Sequence, residues 1–415
     1  MADVVVIGGG VIGTACAYYL AKAGRSVTLL DRAKHGAACS HGNCGYVCPS
    51  HVLPHAGPGA LLSTLKTLFQ KNSPLKVRPG FLLKNLGWFL NFARRCNERD
   101  MLLAATGIQS LLNSSRQLYD ELLKTEAIDC EWDTQGLLFV FHTAKVFAHY
   151  AEVNHMLKEK FSLPAERFET EQLLKLEPSL IPGSVAGGYL YKSDAQVRPD
   201  RLMKAWRTVI ENLGVTIRED CEVKGFNTAK GLATSVSTTQ GDVSGSHYVL
   251  ATGAWAPLLN RDLGCKLPII PGKGYSITMP RPAICPTYPM IFEEHRVAVS
   301  PFQSGYRIGS TMEFVGYDAT MNPNRLKLLR DGAKVYLREP LSEPVQEEWF
   351  GWRPMVFDGK PIIDFAPAAK NVLIAAGHGM LGLSMATGTG KLVRELLTET
   401  KPHIDSTAYG LARFH

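Results

Sequence analysis

Val4-Val5-Val6-Ile7-Gly8-Gly9-Gly10-Val11-Ile12-Gly13 is the stretch whose reading decides the fold. Four β-branched apolar residues in a row predict a strand buried on both faces, because a half-exposed strand would alternate with polar residues. Gly8, Gly10 and Gly13 follow with G-x-G-x-x-G spacing, and a helix is expected from Val11 to Ala23, stopped by Gly24. Val27-Thr28-Leu29-Leu30 is a second strand, which Asp31 ends 18 residues after Gly13. A β-α-β unit of this form binds a dinucleotide. Gly8 permits the tight turn, Gly10 lets the backbone approach a pyrophosphate, and Gly13 lets helix and strand pack closely. The helix start offers unpaired N–H groups to phosphates, and Asp31 can accept hydrogen bonds from ribose hydroxyls. The motif alone does not separate FAD from NAD.

Beyond this unit, residues 35–59 are rich in Gly, Cys, His and Pro and predict a long structured loop, which is uncommon unless functional. Residues 60–125 predict helices interrupted at Pro74 and at Pro79-Gly80. A helix over 198–213, a strand over 248–251, short antiparallel strands over 267–315, a helix over 324–338 and a strand over 372–376 follow. A last helix spans about 384–398. Gly388-x-Gly390-Lys391 is not a P-loop, because the upstream glycine spacing is wrong and Leu392 stands where Ser or Thr is needed.

The 415 residues exceed one ordinary core and predict two domains. The net charge of +7 is spread along the chain, unlike the concentrated basic patch of a nucleic-acid binder, so no nucleic-acid partner is expected. Nine cysteines and the absence of a leader pattern suit a reducing, cytoplasmic setting. No run reaches the roughly 18 apolar residues of a membrane span.

Further motifs accompany the fingerprint: Ala251-Thr252-Gly253-Ala254-Trp255, Gly377-His378-Gly379-Met380-Leu381-Gly382 and Thr387-Gly388-Thr389-Gly390. To these are added Ser40-x-x-Asn43-x-Gly45, Pro49-Ser50-His51, Lys273-Gly274-Tyr275-Ser276 and Trp352-Arg353-Pro354 with Asp358-Gly359. In this order they resemble the FAD-dependent family of D-amino acid oxidase, glycine oxidase and sarcosine oxidase, and within it the bacterial D-amino acid dehydrogenase branch. The likeness runs from about residue 3 to about residue 400. It implies an α/β fold: a doubly wound, Rossmann-like FAD-binding domain (1–59, 195–265 and 350–415) and an α+β substrate domain with an antiparallel sheet (60–194 and 266–349). A helical insert falls at about 60–125.

The resemblance implies non-covalent FAD. The residues expected to hold it are Gly8, Gly10, Val11, Ile12, Gly13, Asp31, Arg32, Ser40, Asn43, Cys44, Gly45, Val223, Thr252, Gly253 and Trp255, together with the turn Gly377, His378, Gly379, Met380, Leu381 and Gly382. Cys44 stands where relatives carry a small residue such as Ala. For the substrate, Arg353 is expected to grip a carboxylate, because a guanidinium forms a planar bidentate fork. Tyr275, His51 and His41 are further substrate candidates. The implied chemistry is hydride transfer from the α-carbon of a neutral amine to the flavin, without a strong general base. The aromatic residue that glycine oxidase carries is absent around Val297–Ser300.

Three functions are compatible with these residues. One is a dehydrogenase of small amino or cyclic imino acids that passes electrons to a quinone or other carrier. Another is an oxidase that uses oxygen. A third is a redox subunit whose Cys39, Cys44 and Cys48 hold a cluster, although C-x4-C-x3-C matches no usual metal spacing. Leu62, Leu65, Leu68, Phe69, Trp88 and Phe89, with nearby Lys and Arg, are expected either to form subdomain core or to touch a membrane surface.

Overall fold

The structure, a computed structural model, describes residues 2–60 and 73–414. Two sheets organise it. The first follows the strand order Ile362–Ala366, Ala369–Ala376, Gly245–Leu250, Ala2–Ile7, Val27–Leu30, Thr216–Arg218. Its neighbours are parallel except for the Ile362–Ala366 edge strand. Val4, Val5 and Val6 are 0% exposed, as a continuous apolar strand covered on both faces requires.

Helix Val11–Lys22 covers one face of this sheet, and helix Gly382–Leu397 lies against it. Gly390 sets their approach: a Cβ there would fall 2.6 Å from the Ala15 backbone. On its other side the same helix meets the 28-residue helix Glu98–Thr125, where a Cβ on Gly388 would fall 3.0 Å from the Leu111 carbonyl oxygen. Ser115 and Thr387 join the two helices through hydroxyls 2.7 Å apart. The two glycines therefore serve helix packing. The long helix starts at Asn97, whose side chain accepts the Asp100 N–H, and buries a stripe that includes Ala104, Ile108, Leu111, Leu118 and Leu122.

The second sheet runs Glu347–Val356, Ile269–Met279, Tyr306–Phe314, Val297–Ser300, Met290–Phe292, Leu137–Phe141, Gly187–Tyr191, Glu166–Glu169. It is antiparallel apart from the pairing of Met290–Phe292 with Leu137–Phe141 and of Leu75–Val77 with Tyr306–Phe314. Three particulars differ from the sequence reading. The expected domain division at residue 350 falls inside a strand, because Glu347–Val356 pairs along its length with Ile269–Met279. Residues 75–77 form an edge strand of the larger sheet, after Pro74 breaks the chain. The Glu98–Thr125 part of the helical insert packs on the last helix of the nucleotide domain. Leu62, Leu65, Leu68 and Phe69 lie outside the described residues.

Candidate functional site

A cavity of ≈ 1950 Å³ opens at the carboxyl ends of the parallel strands, bordered by Ile7, Leu30 and Ala251, and continues under the larger sheet to Tyr275, Ser310 and Arg353. The ends of parallel strands, where the chain turns into a helix, are the usual ligand crevice of an open α/β sheet.

At the nucleotide end the backbone shapes the space. A Cβ on Gly13 would fall 1.8 Å from the Gly8 carbonyl oxygen, so helix and strand touch there and Gly13 does not border the cavity. Gly10 is the opposite case, since a Cβ there would meet only Ser40 Oγ, at 3.5 Å. Gly8, Gly10, Val11 and Ile12 all border the cavity. Ser40 Oγ accepts the Val11 N–H at 2.9 Å, which fastens the 35–59 loop to the helix start. Asp31 accepts the Gly9 N–H at 2.6 Å and the Ala33 N–H at 2.8 Å, which orients its carboxylate at the strand end. The Arg32 guanidinium lies 3.9 Å from the centre of the Trp255 ring, a cation–π contact. Val223, Thr252 and Gly253 complete this wall. Thr252 Oγ1 is buried with no partner among the described residues.

Asn43 and Cys44 also border the cavity. Gly45 does not; its N–H donates to Asn43 Oδ1, and a Cβ on it would collide with the Val197 carbonyl oxygen at 2.0 Å. Cys39 donates to the Trp352 carbonyl oxygen, Cys44 packs against Gly309, and Cys48 faces Ser384. The three sulfurs contact three different groups. Among the described residues no group of three His, Cys, Asp or Glu side chains is placed to hold a metal ion.

The second turn, Gly377 through Gly382, leads into helix Gly382–Leu397 and borders the cavity throughout. His378 is 3% exposed and its Nε2 lies 3.0 Å from Thr389 Oγ1. Burial lowers its pKa to about 3, so the ring is neutral and shapes the turn. The helix start has no side-chain cap and no acidic residue in its first turn, leaving a positive end toward the cavity.

At the far end Arg353 borders the cavity. Its Nη1 donates to the Thr311 carbonyl oxygen at 2.8 Å. The guanidinium lies across Gly274, where a Cβ would fall 2.3 Å from Cζ, so glycine there leaves it room in this position. The charges that act on it are the thiols of Cys44 and Cys39. Burial raises the pKa of both, that of Cys39 to about 12, so neither is an anion at neutral pH. Among the described residues Arg353 has no carboxylate partner.

The three other substrate candidates separate. His51 borders the cavity, its ring 5.5 Å from that of Phe139. His41 does not; its Nε2 meets Glu347 at 2.8 Å, a bond that raises its pKa. Tyr275 borders the cavity, but its hydroxyl donates to Glu313 at 2.7 Å, inside a buried pair with Arg325. Sequence reasoning missed His55, Asp194, Glu293 and Arg296. His55, Glu293 and Arg296 border the cavity, and Asp194 is bonded to Ser50, which does. His55 was legible in the same loop as His51; Asp194 and Glu293 carried no motif.

An open cradle over Gly10, the unpartnered Thr252 hydroxyl and the uncapped Gly382 helix start suit a ligand with an extended pyrophosphate and a polar ring edge, as FAD has. Comparisons with known proteins agree. The chain matches the FAD dependent oxidoreductase family over residues 3–396. It is 31% identical to D-amino acid dehydrogenase of Paramagnetospirillum magneticum, covering 99% of this chain and 98% of that one. It is 30% identical to D-amino acid dehydrogenase of Vibrio atlanticus, covering 99% and 100%. Among solved structures, glycine oxidase from Geobacillus kaustophilus superposes with a TM-score of 0.78 at 21% identity over 99% and 98% of the chains. L-proline dehydrogenase from P. horikoshii superposes with a TM-score of 0.74 at 21% identity over 100% and 97%. This protein therefore belongs to the FAD-dependent oxidoreductase family, and its cofactor is FAD.

Proposed function

We propose that this protein is a dehydrogenase of a small D-amino acid or cyclic imino acid, passing electrons to a quinone or other carrier. The observation that carries the reading is Arg353: a cation deep in the cavity, held by one backbone carbonyl and left without an anion. A carboxylate supplied by the substrate completes its fork. FAD, when bound, supplies the hydride acceptor. The chain's own part is orientation: Arg353 fixes the carboxylate, and Phe139, Ile291 and Val297 give the side chain an apolar wall. The two full-length relatives, both D-amino acid dehydrogenases, support this substrate class and a carrier in place of oxygen.

Helices Pro79–Lys84 and Leu86–Arg95 support a peripheral membrane contact. Trp88 and Phe89 turn inward onto Phe314, while Leu83, Leu86 and Leu90 are 73%, 48% and 50% exposed. Lys84, Arg94 and Arg95 flank them, the arrangement of a helix lying on an anionic lipid surface. Among the described residues no helix is long and apolar enough to cross a membrane.

The deciding experiment is anaerobic bleaching of the flavin by a panel of D-amino acids, glycine, sarcosine and proline derivatives. One or more D-amino or imino acids should bleach it, with dye reduction outpacing peroxide release in air. Failure of the whole panel rejects the amino acid, and equal rates with oxygen and dye reject the carrier.

A further inference from the structure

Ser50 and His51 border the cavity, and behind them Asp194 is 0% exposed. They meet because Tyr46–Val47 pairs with Ala195–Gln196, which lays two distant chain segments side by side. The Ser50 N–H donates to Asp194 Oδ1 at 3.0 Å and Ser50 Oγ–H donates to Oδ2 at 2.5 Å. Ser193 adds a hydroxyl donor at 3.2 Å. Among the described residues the cation acting on Asp194 is Arg116, which is bonded to Asp120 instead. Ser50 Oγ lies 3.2 Å from His51 Nδ1. A hydroxyl carries a single proton, and when Asp194 is ionised the carboxylate takes it. The hydrogen of the Ser50–His51 bond therefore comes from Nδ1, which leaves a lone pair on His51 Nε2.

We infer that His51 removes the ammonium proton of the substrate at Nε2, and that Ser50 and Asp194 relay it inward. This rests on the amino acid reading above. Hydride cannot readily leave a carbon that bears an ammonium, because two positive charges would adjoin; the free nitrogen pair must be in place first. In the relay three bonds break: ammonium N–H, Nδ1–H of His51 and Oγ–H of Ser50. Three form: Nε2–H of His51, a new Oγ–H and Oδ2–H of Asp194. One proton moves, His51 stays neutral, and no electrons leave or enter the relay.

The surroundings suit this. Burial lowers the His51 pKa to about 4, so the ring is a neutral acceptor, and His55 on the same loop pushes the same way. Burial raises that of Asp194 to about 7, which lets the carboxyl hold a proton near neutral pH. Phe139 is the apolar neighbour of the ring. Around Asp194, Cys48 and the hydrogen-bonded pair Tyr150 and Tyr191 have raised pKa values and are uncharged.

The test uses the FAD-loaded protein and the best substrate of the panel. In the wild type, flavin reduction should rise with pH through the region near 7, as Asp194 loses its resting proton. Asp194→Asn, Ser50→Ala and His51→Gln should each lose that step. At neutral pH each should reduce flavin at least about tenfold more slowly, with recovery at alkaline pH where the amine arrives unprotonated. A structural defect would not be rescued by pH. Independently, 15N spectra of histidine-labelled protein above the Asp194 pKa of about 7 should show His51 protonated at Nδ1 in the wild type and shifted toward Nε2–H in Ser50→Ala. Variants that bleach with unchanged pH profiles, or a bare Nδ1 in the wild type, overturn the relay alone. A wild type that no amino acid bleaches overturns the substrate reading together with the relay.

Discussion

The two ends of the cavity are built on different principles. The nucleotide end is made of backbone: Gly8, Gly10 and Gly13 stand within six residues, and their spacing is their function. The substrate end is made of side chains that meet only after folding. Arg353 lies over Gly274 and bonds to Thr311, while His51 leans on Ser50, which leans on Asp194. Defects at the first end should therefore act on folding and cofactor retention, and defects at the second on chemistry with the cofactor in place.

The largest effect expected from this contrast is that of Gly13→Ala. Its Cβ would need the space of the Gly8 carbonyl oxygen, 1.8 Å away, and backbone cannot yield as a side chain can. Overpacking of this kind costs about 1–3 kcal/mol or more, so the variant should be purified with little or no flavin and a lowered melting temperature. A fully loaded Gly13→Ala would break the idea that this end is fixed by backbone contact.

Arg353→Lys should act in the other way, keeping a normal flavin spectrum. It retains a charge and loses the fork, a charge-assisted hydrogen bond of about 1.5–3 kcal/mol, which lowers kcat/KM roughly tenfold to over a hundredfold. Arg353→Ala should fall further, with no cation left for the carboxylate. Steady-state kinetics and the flavin-to-protein ratio read both ends at once. Near-native efficiency in a loaded Arg353→Ala would move the substrate site elsewhere.

The smallest effect belongs to the outer surface of the helices that cover the far end. Leu83→Glu with Leu86→Glu changes exposed residues only, so stability should move by less than about 0.5 kcal/mol per site and dye-linked turnover should be unchanged. Co-sedimentation of the holoenzyme with vesicles containing anionic lipid should be lost. If the variant sediments as well as the wild type, the exposed leucines are not the lipid contact.

What could be read in the chain before folding follows from local rules. Val4 through Ile7 had to be a doubly covered strand, and Gly8 through Gly13 with Asp31 had to be a dinucleotide turn, because β-branching, glycine sterics and helix ends act over a few residues. The placing of Arg353 at the cavity was legible through its motif, whereas its strand partner Gly272 and the Gly274 beneath its guanidinium come from the register of two distant strands. The roles of the histidines were not. His41 and His51 look alike in sequence, yet Glu347 claims one and the other reaches the cavity. Tyr275 was a plausible ligand until Glu313 took its hydroxyl. Nor did any pattern join Ser50 to Asp194, 144 residues apart. The sequence by itself determined the class of fold and of cofactor, whereas the tertiary structure decided which polar groups stand beside the reacting atoms. Backbone geometry is a property of neighbours in the chain, while desolvation and hydrogen-bond pairing belong to neighbours in space.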